Sequence, residues 1–180
     1  MTELRLILGD QLNPHHSWFD ACNPNVIYVM LELRAETAYV LHHAQKVIAI
    51  FAAMRAFAAE LKEKGHRVRY VRLSEGSNRG TLEDNLNALI AHYHAGRVMW
   101  QEPDEWRLDA QLQAWAKTAT VETTCVSSEH FYTERGEAAA QVHFQTGHDD
   151  EITQGQATQH GVNSLLHSSA VCGARSRSSS

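Results

Sequence analysis

Short apolar segments alternate along the chain with longer stretches in which apolar residues recur every three or four positions. Residues 4–8, 26–31, 66–73, 98–100 and 121–126 carry the apolar runs or the alternation typical of β-strands. The second segment is apolar throughout, which indicates burial on both faces, as in a parallel sheet covered by helices. The third segment alternates, and it therefore predicts a strand nearer the edge of the sheet.

Between these strands the pattern changes to the helical period. From Thr37 to Lys64 apolar residues step by four and three, which keeps one apolar stripe on one helix face. Gly65 stands where a left-handed C-cap would end this helix. A second helix is predicted from Leu82 to about His94, with Thr81 as its N-cap and Gly96 as its end.

A third helix is predicted to begin at Asp104 or Asp109 and to reach Ala116. The order strand, helix, strand, helix predicts an α/β fold: a Rossmann-like, doubly wound, mainly parallel five-stranded sheet with helices on both faces. Residues 141–180 lose both periods and are rich in Gln, His, Gly, Ser and Thr. We expect them to be a disordered or out-of-frame tail that follows a single domain of residues 1–140.

Composition and charge narrow the class of protein. The net charge of the 180 residues is −5, so no sequence-independent attraction to nucleic acid is expected. The three cysteines lie far apart and form no CxxC pair, which argues against a disulfide framework or a cysteine zinc site. The chain begins without a signal-peptide pattern, and its apolar segments are too short or too interrupted to span a bilayer. We therefore expect a cytoplasmic protein without membrane or direct nucleic-acid partners.

Polar residues follow the first two predicted strands at the point where each strand ends. Gly9, Asp10 and Gln11 follow the first strand, and residues 32–36 follow the second. In an open parallel sheet these ends form the edge at which ligands bind. An acid and an amide there could exchange hydrogen bonds with a planar ligand. The alternative is structural: Asp10 caps a turn, and Glu36 lies in the first turn of the long helix, where its charge is favourable.

The residue pattern predicts no catalytic constellation and no metal site. Neighbouring helical residues such as His42 and His43 point about 100° apart, so they do not chelate one ion as an i, i+4 pair can. The sequence contains no GxGxxG, no GxxxxGK[ST] and no GxSxG. A histidine that reaches a ligand pocket from the first turns of the long helix is the better functional interpretation.

Four motifs together resemble one family. They are ILGDQL after the first strand, ELRAETAYVLHHAQKVIAIFAAMRAFAAELKEKGHRVRYVRL through the long helix and the third strand, EPDEWRLDAQL after the fourth strand and SEHFYTERGE after the fifth. In this order, over residues 4–137, they resemble the bacterial photolyase-related branch of the cryptochrome/photolyase family, which contains prokaryotic (6-4) photolyases. The resemblance implies an N-terminal antenna domain that holds a light-harvesting chromophore, typically a ribityl-lumazine.

The resemblance also implies a binding site for this small aromatic chromophore. The matching pocket positions are Gly9, Asp10, Gln11, Glu32, Leu33, Arg34, Glu36, Tyr39 and His43. Asp10 and Gln11 would hydrogen-bond the edge of a pteridine-like ring, while Tyr39 would lie against its face.

The family continues into a longer helical domain that binds FAD, damaged DNA and, in this branch, a four-cysteine iron–sulfur cluster. We expect neither FAD nor the cluster in this chain, since three scattered cysteines cannot supply four ligands. The expectation is a truncated photolyase-related protein that does not repair DNA alone. A separately encoded FAD domain could be its partner, and an exposed apolar patch would favour self-association. The alternative is a nucleotide-binding or protein-interaction module without enzymatic activity.

Overall fold

The computed structural model describes residues 1–33 and 44–131 of the chain. The strands are β1 (Thr2–Leu6), β2 (Val26–Leu31), β3 (Val68–Val71), β4 (Ala95–Gln101) and β5 (Glu122–Val126). The helices are a short 3-10 turn (Ser17–Phe19), α1 (Ala44–Glu63), α2 (Leu82–Tyr93) and α3 (Trp106–Ala116).

The five strands of the described residues form one parallel sheet in the order β3-β2-β1-β4-β5. Leu6 on β1 pairs with Val29 on one side and with Trp100 on the other. The chain winds outward from β1 to β3 and then crosses to β4 on the opposite side of β1. The predicted α/β class with a doubly wound sheet is therefore confirmed, and the winding changes direction between β1 and β4.

Helices cover both faces of the sheet. On the first, which we call the α2/α3 face, Leu4 of β1 and Val29 of β2 pack with Leu86 and Leu112. On the second, the α1 face, Tyr28 packs with Trp18 of the 3-10 turn and with residues of α1. Because β2 alternates its side chains between the two cores, all six of its residues are buried. That double burial explains its uninterrupted apolar sequence.

Local chemistry sets the helix ends, with one correction to the sequence prediction. The Thr81 side chain accepts a hydrogen bond from the Asp84 N–H at 3.2 Å, which confirms the predicted N-cap of α2. Gly65, with φ of 91°, confirms the left-handed position after α1. The prediction that α2 ends at Gly96 is wrong, because His94 adopts the left-handed conformation and Gly96 lies inside β4. Histidine is one of the residues that tolerates this conformation.

The remaining sequence predictions are settled only in part. Helix α3 begins at Trp106, with Glu105 rather than an aspartate at its N-cap. The start of the long helix over residues 37–43 and the tail over residues 141–180 lie outside the described residues. Within the described ranges, no helix has the length and apolar character needed to cross a membrane.

Candidate functional site

The loop after β1 lies against α1 at Gly9. A Cβ atom on this residue would lie 3.2 Å from Cγ2 of Ile50 and 3.3 Å from Sδ of Met54, so a larger residue would crowd these two side chains of α1. Ile50 is nevertheless 37% exposed, and the next loop residue, Asp10, is exposed as well. An apolar side chain of α1 and a carboxylate therefore border the same carboxyl edge of the sheet.

Gln11 links the ends of β1 and β4. Its Nε2 donates to the backbone oxygens of Gln101 and Glu102, both at 3.2 Å, and its Oε1 accepts from the Leu8 N–H at 3.1 Å. These bonds link the ends of β1 and β4, where the winding changes direction and where open α/β sheets commonly bind ligands. The amide of Gln11 is thus directed at the protein and holds the two strand ends together.

Glu32 is a buried carboxylate at the end of β2 and is only 1% exposed. Its Oε1 accepts from Arg55 Nε at 2.7 Å and from the Tyr70 hydroxyl at 2.6 Å. Its Oε2 accepts from Arg55 Nη2 at 3.0 Å and from the Leu73 N–H at 2.9 Å. One carboxylate thereby ties the end of β2 to α1 and to β3.

The electrostatics of this cluster follow from its burial and its hydrogen bonds. Burial alone would raise the pKa of the Glu32 carboxyl, but the bonds donated by Arg55, Leu73 and Tyr70 lower it below its ordinary value. Burial, together with the bond to Glu32, raises the pKa of the Tyr70 hydroxyl well above its usual range. Glu32 is therefore ionised and paired within the protein, while the Arg55 side chain stays half exposed.

Two asparagines order the loop that follows β3. Asn78 Nδ2 donates to the backbone oxygen of Glu32 at 2.8 Å and to that of Arg72 at 3.1 Å. Asn85, which is buried on α2, donates to the Thr81 oxygen at 2.6 Å. The loop over residues 72–81 is thus fixed beside the end of β2, where it forms one wall of the carboxyl edge.

The remaining predicted site residues fall into two groups. Leu33 is buried in the core of the α2/α3 face, so its side chain supports the edge from within. Arg34, Glu36, Tyr39 and His43 lie outside the described residues, and their place in the site stays a prediction. Among the residues that the structure describes, no group of three or more His, Cys, Asp or Glu side chains could hold a metal ion.

Sequence analysis missed a buried histidine at the same edge. His16 Nδ1 accepts from the Trp18 N–H at 3.0 Å, and its Nε2 lies 3.1 Å from the Ser127 oxygen. This pairing requires a proton on Nε2 and a lone pair on Nδ1. The ring therefore pins the segment after β1 to the end of β5. Nothing in the local sequence distinguishes it from the neighbouring exposed His15.

Gln101, the last residue of β4, is the second residue that was missed. It is completely buried, yet neither its Nε2 nor its Oε1 has a hydrogen-bond partner in the described part of the chain. A buried polar group left unpaired costs about 1–3 kcal/mol, so such groups need an explanation. The available sequence signal was its place at the end of a buried parallel strand.

Comparison with known proteins identifies the family. The family model of deoxyribodipyrimidine photo-lyase-related proteins matches residues 5–149. A (6-4) photolyase from Agrobacterium fabrum is 36% identical over 138 residues, which cover 76% of this chain and 27% of that protein. The chain thus spans about a quarter of the length of this relative. Since the family model covers most of the sequence, the chain belongs to the family of deoxyribodipyrimidine photo-lyase-related proteins.

Proposed function

We propose that the chain is the antenna domain of a light-driven (6-4) photolyase or related cryptochrome, and that it binds a ribityl-lumazine-type chromophore beside Gly9. Family membership supports the kind of protein. One structural observation carries the site: the loop after β1 lies against α1 at Gly9, where the partly exposed Ile50 and the exposed Asp10 border the same edge.

A flat heterocycle needs an apolar surface for its face and polar groups at its rim. Ile50 offers the apolar surface, and Asp10 offers a carboxylate that can accept from ring N–H or ribityl hydroxyl groups. The side chains of Glu32 and Gln11 form hydrogen bonds within the protein, so in this proposal their role is to shape the carboxyl edge of the sheet. In this proposal Arg34, Glu36, Tyr39 and His43 complete the site from the segment that precedes α1.

Light-driven DNA repair is proposed only for a larger assembly. The chain spans 27% of the (6-4) photolyase from Agrobacterium fabrum, so most of that protein has no counterpart in the alignment. We assign no catalytic residue to this chain. FAD and the iron–sulfur cluster of this branch would be bound by a separate flavin domain, to which the chromophore passes its excitation energy. That domain is the proposed macromolecular partner.

The site can be tested by changing Ile50 to Asp and titrating the protein with ribityl-lumazine under fluorescence anisotropy. We expect the Ile50→Asp variant to bind at least about tenfold more weakly than the original chain, a loss of about 1.4 kcal/mol. The physical reason is that a carboxylate would have to be desolvated against the ring. Ile48→Asp is the matched control, because Ile48 lies on the same helix and is 67% exposed.

Two results would contradict the proposal. The first is an original chain that leaves the absorption and anisotropy of ribityl-lumazine unchanged at millimolar protein concentration. The second is an equal loss of binding in Ile50→Asp and Ile48→Asp, which would place the chromophore elsewhere on α1. A parallel titration with AMP and ATP checks the alternative: tighter binding of either nucleotide than of lumazine would favour a nucleotide-binding module.

A further inference from the structure

Two buried glutamines lie next to each other near the ends of β1 and β4, and their side-chain amides differ in their hydrogen bonding. Gln11 and Gln101 are each 0% exposed. The Gln11 amide makes three hydrogen bonds to backbone groups, one of them to the Gln101 carbonyl oxygen. The Gln101 amide makes none within the described residues, on either its nitrogen or its oxygen. Buried amide groups nearly always have hydrogen-bond partners, so the unpaired amide of Gln101 needs an explanation.

The alternation of β4 shows on which face this amide lies. Trp100 packs in the core of the α2/α3 face, and Met99 packs in the core of the α1 face. Gln101 therefore points to the α1 face, the side on which Gly9 meets Ile50. Its position at the last residue of β4 puts the amide at the carboxyl edge, next to the end of β1.

We propose that Gln101 is a specificity-determining residue of the chromophore site, whose amide pairs with a carbonyl and an adjoining N–H on the rim of the heterocycle. This inference rests on the proposed function. A primary amide presents a donor and an acceptor side by side, which is the complement of the imide edge of a lumazine-type ring. The same edge cannot be paired by Gln11, since the backbone of Leu8, Gln101 and Glu102 already engages its amide.

We infer that the segment over residues 12–19 must move before a ligand can reach this amide. Leu12 packs against the core of the α1 face, and His16 bonds the Ser127 oxygen just after β5. Because Gln101 has no exposed surface, the proposal requires this neighbouring segment to shift when the ring edge binds. Hydrogen bonds and packing hold the segment there, and both can be remade around a ligand.

The experiment compares ribityl-lumazine with its N3-methyl analogue, which lacks the imide N–H. The original chain should bind the unmethylated ligand at least tenfold more tightly, because the methyl group removes the hydrogen that Gln101 Oε1 accepts. Gln101→Leu should bind the two ligands with equal affinity. Gln111→Leu is the control: its Nε2 donates to Glu83 at 2.8 Å, between α3 and α2, and its loss should leave the tenfold preference intact.

The outcomes separate this inference from the proposed function. Binding of neither ligand by the original chain overturns both. Tight lumazine binding with an undiminished preference in Gln101→Leu overturns the inference alone and assigns the amide to a buried water. Should Gln101→Leu fail to fold, NMR of the original chain decides: the side-chain NH₂ signals of Gln101 must shift and exchange more slowly when ribityl-lumazine is added, and unchanged signals overturn the inference.

Discussion

The two faces of the sheet bury different kinds of side chain. The buried residues of the α2/α3 face are mainly apolar, with Asn85 and Asp109 buried on its helices, and Trp115 donates its indole N–H to Asn87 at 3.0 Å. The α1 face buries polar and titratable groups among its aromatic rings: the Tyr28 hydroxyl donates to the Trp18 oxygen, and His66 packs edge-on against Tyr28. One face is suited to stability by burial, the other to fixed directional contacts.

The directional contacts of the α1 face converge on the segment that borders the candidate site. Tyr28 holds the backbone of Trp18, and the Arg5 guanidinium lies 5.1 Å from the centre of the Trp18 ring. Two residues earlier, His16 fixes the same segment to Ser127. The contrast between the faces therefore teaches a division of roles: the α2/α3 face holds the sheet together, and the α1 face positions the loop at its carboxyl edge.

The largest expected effect comes from opening a cavity in the α2/α3 face. Leu86→Ala removes a completely buried side chain and should lower the free energy of unfolding by about 2–5 kcal/mol. Tyr28→Phe on the α1 face removes one hydrogen bond and should cost about 1 kcal/mol. Urea unfolding of both variants measures the difference. A Tyr28→Phe cost as large as that of Leu86→Ala would break the division between the faces.

A smaller effect is expected at the carboxylate beneath α1. Glu32→Gln replaces one acceptor oxygen with an NH₂ group that faces the donors Arg55, Tyr70 and Leu73, and should cost about 1–3 kcal/mol in urea unfolding. Glu75→Gln is the control, since Glu75 pairs with Arg69 nearer the surface and its loss should cost less than about 1 kcal/mol. Equal losses of unfolding free energy in the two variants would mean that burial does not strengthen the hydrogen bonds of the Glu32 cluster.

The pH dependence of the same variant sharpens the test. The pKa of folded Glu32 lies below its ordinary value of 4.5, so the unfolded chain takes up the proton first as the pH falls. The stability that ionised Glu32 contributes is therefore complete above pH 4.5 and is lost as the pH falls through the folded-state pKa. The advantage of the original chain over Glu32→Gln should shrink in that range. An advantage that grows on acidification would contradict the assignment.

Much of the fold could be predicted because the burial of each strand determines where its apolar residues occur in the sequence. The bounds of β2 follow from its apolar run, since each of its residues faces one of two cores. The edge position of β3 follows from its alternation. The end of α2 could not be predicted in the same way. The residue in the left-handed conformation is His94. Nothing in the local sequence favours His94 over Gly96 for this position, and glycine is the residue that usually adopts that conformation.

The candidate site was less predictable, because the role of a side chain depends on partners far along the chain. Position at a strand end pointed to Gln11 and Glu32. It could not show that Gln11 bonds the backbone of Gln101, ninety residues away, or that Glu32 bonds the Leu73 N–H. Gln101 itself was missed, because an unpaired amide becomes visible only when its whole surroundings are known.

The smallest expected effect is a pH dependence on the α1 face near neutrality. Burial first, and then the positive charge of Lys64, lowers the pKa of His66, against the opposing effect of a hydrogen bond that the ring donates to the Phe19 backbone. Its Nδ1 has no partner among the described residues, so a proton added there would bring a buried charge without an acceptor. Protonation therefore favours the unfolded chain. Stability should be highest above the ordinary pKa of 6.5 and should fall as the pH drops from there towards the folded-state pKa.

His66→Phe keeps the ring that packs 5.4 Å from Tyr28 and removes the titrating group, so thermal unfolding of this variant between pH 7 and pH 5 should show a flatter profile than that of the original chain. His92→Gln removes an exposed imidazole from α2 and serves as the control for the loss of one histidine. If His92→Gln flattened the profile and His66→Phe did not, the pH sensitivity would arise on the surface. The titratable interior of the α1 face would then be as insensitive to pH in this range as the apolar core on the other side of the sheet.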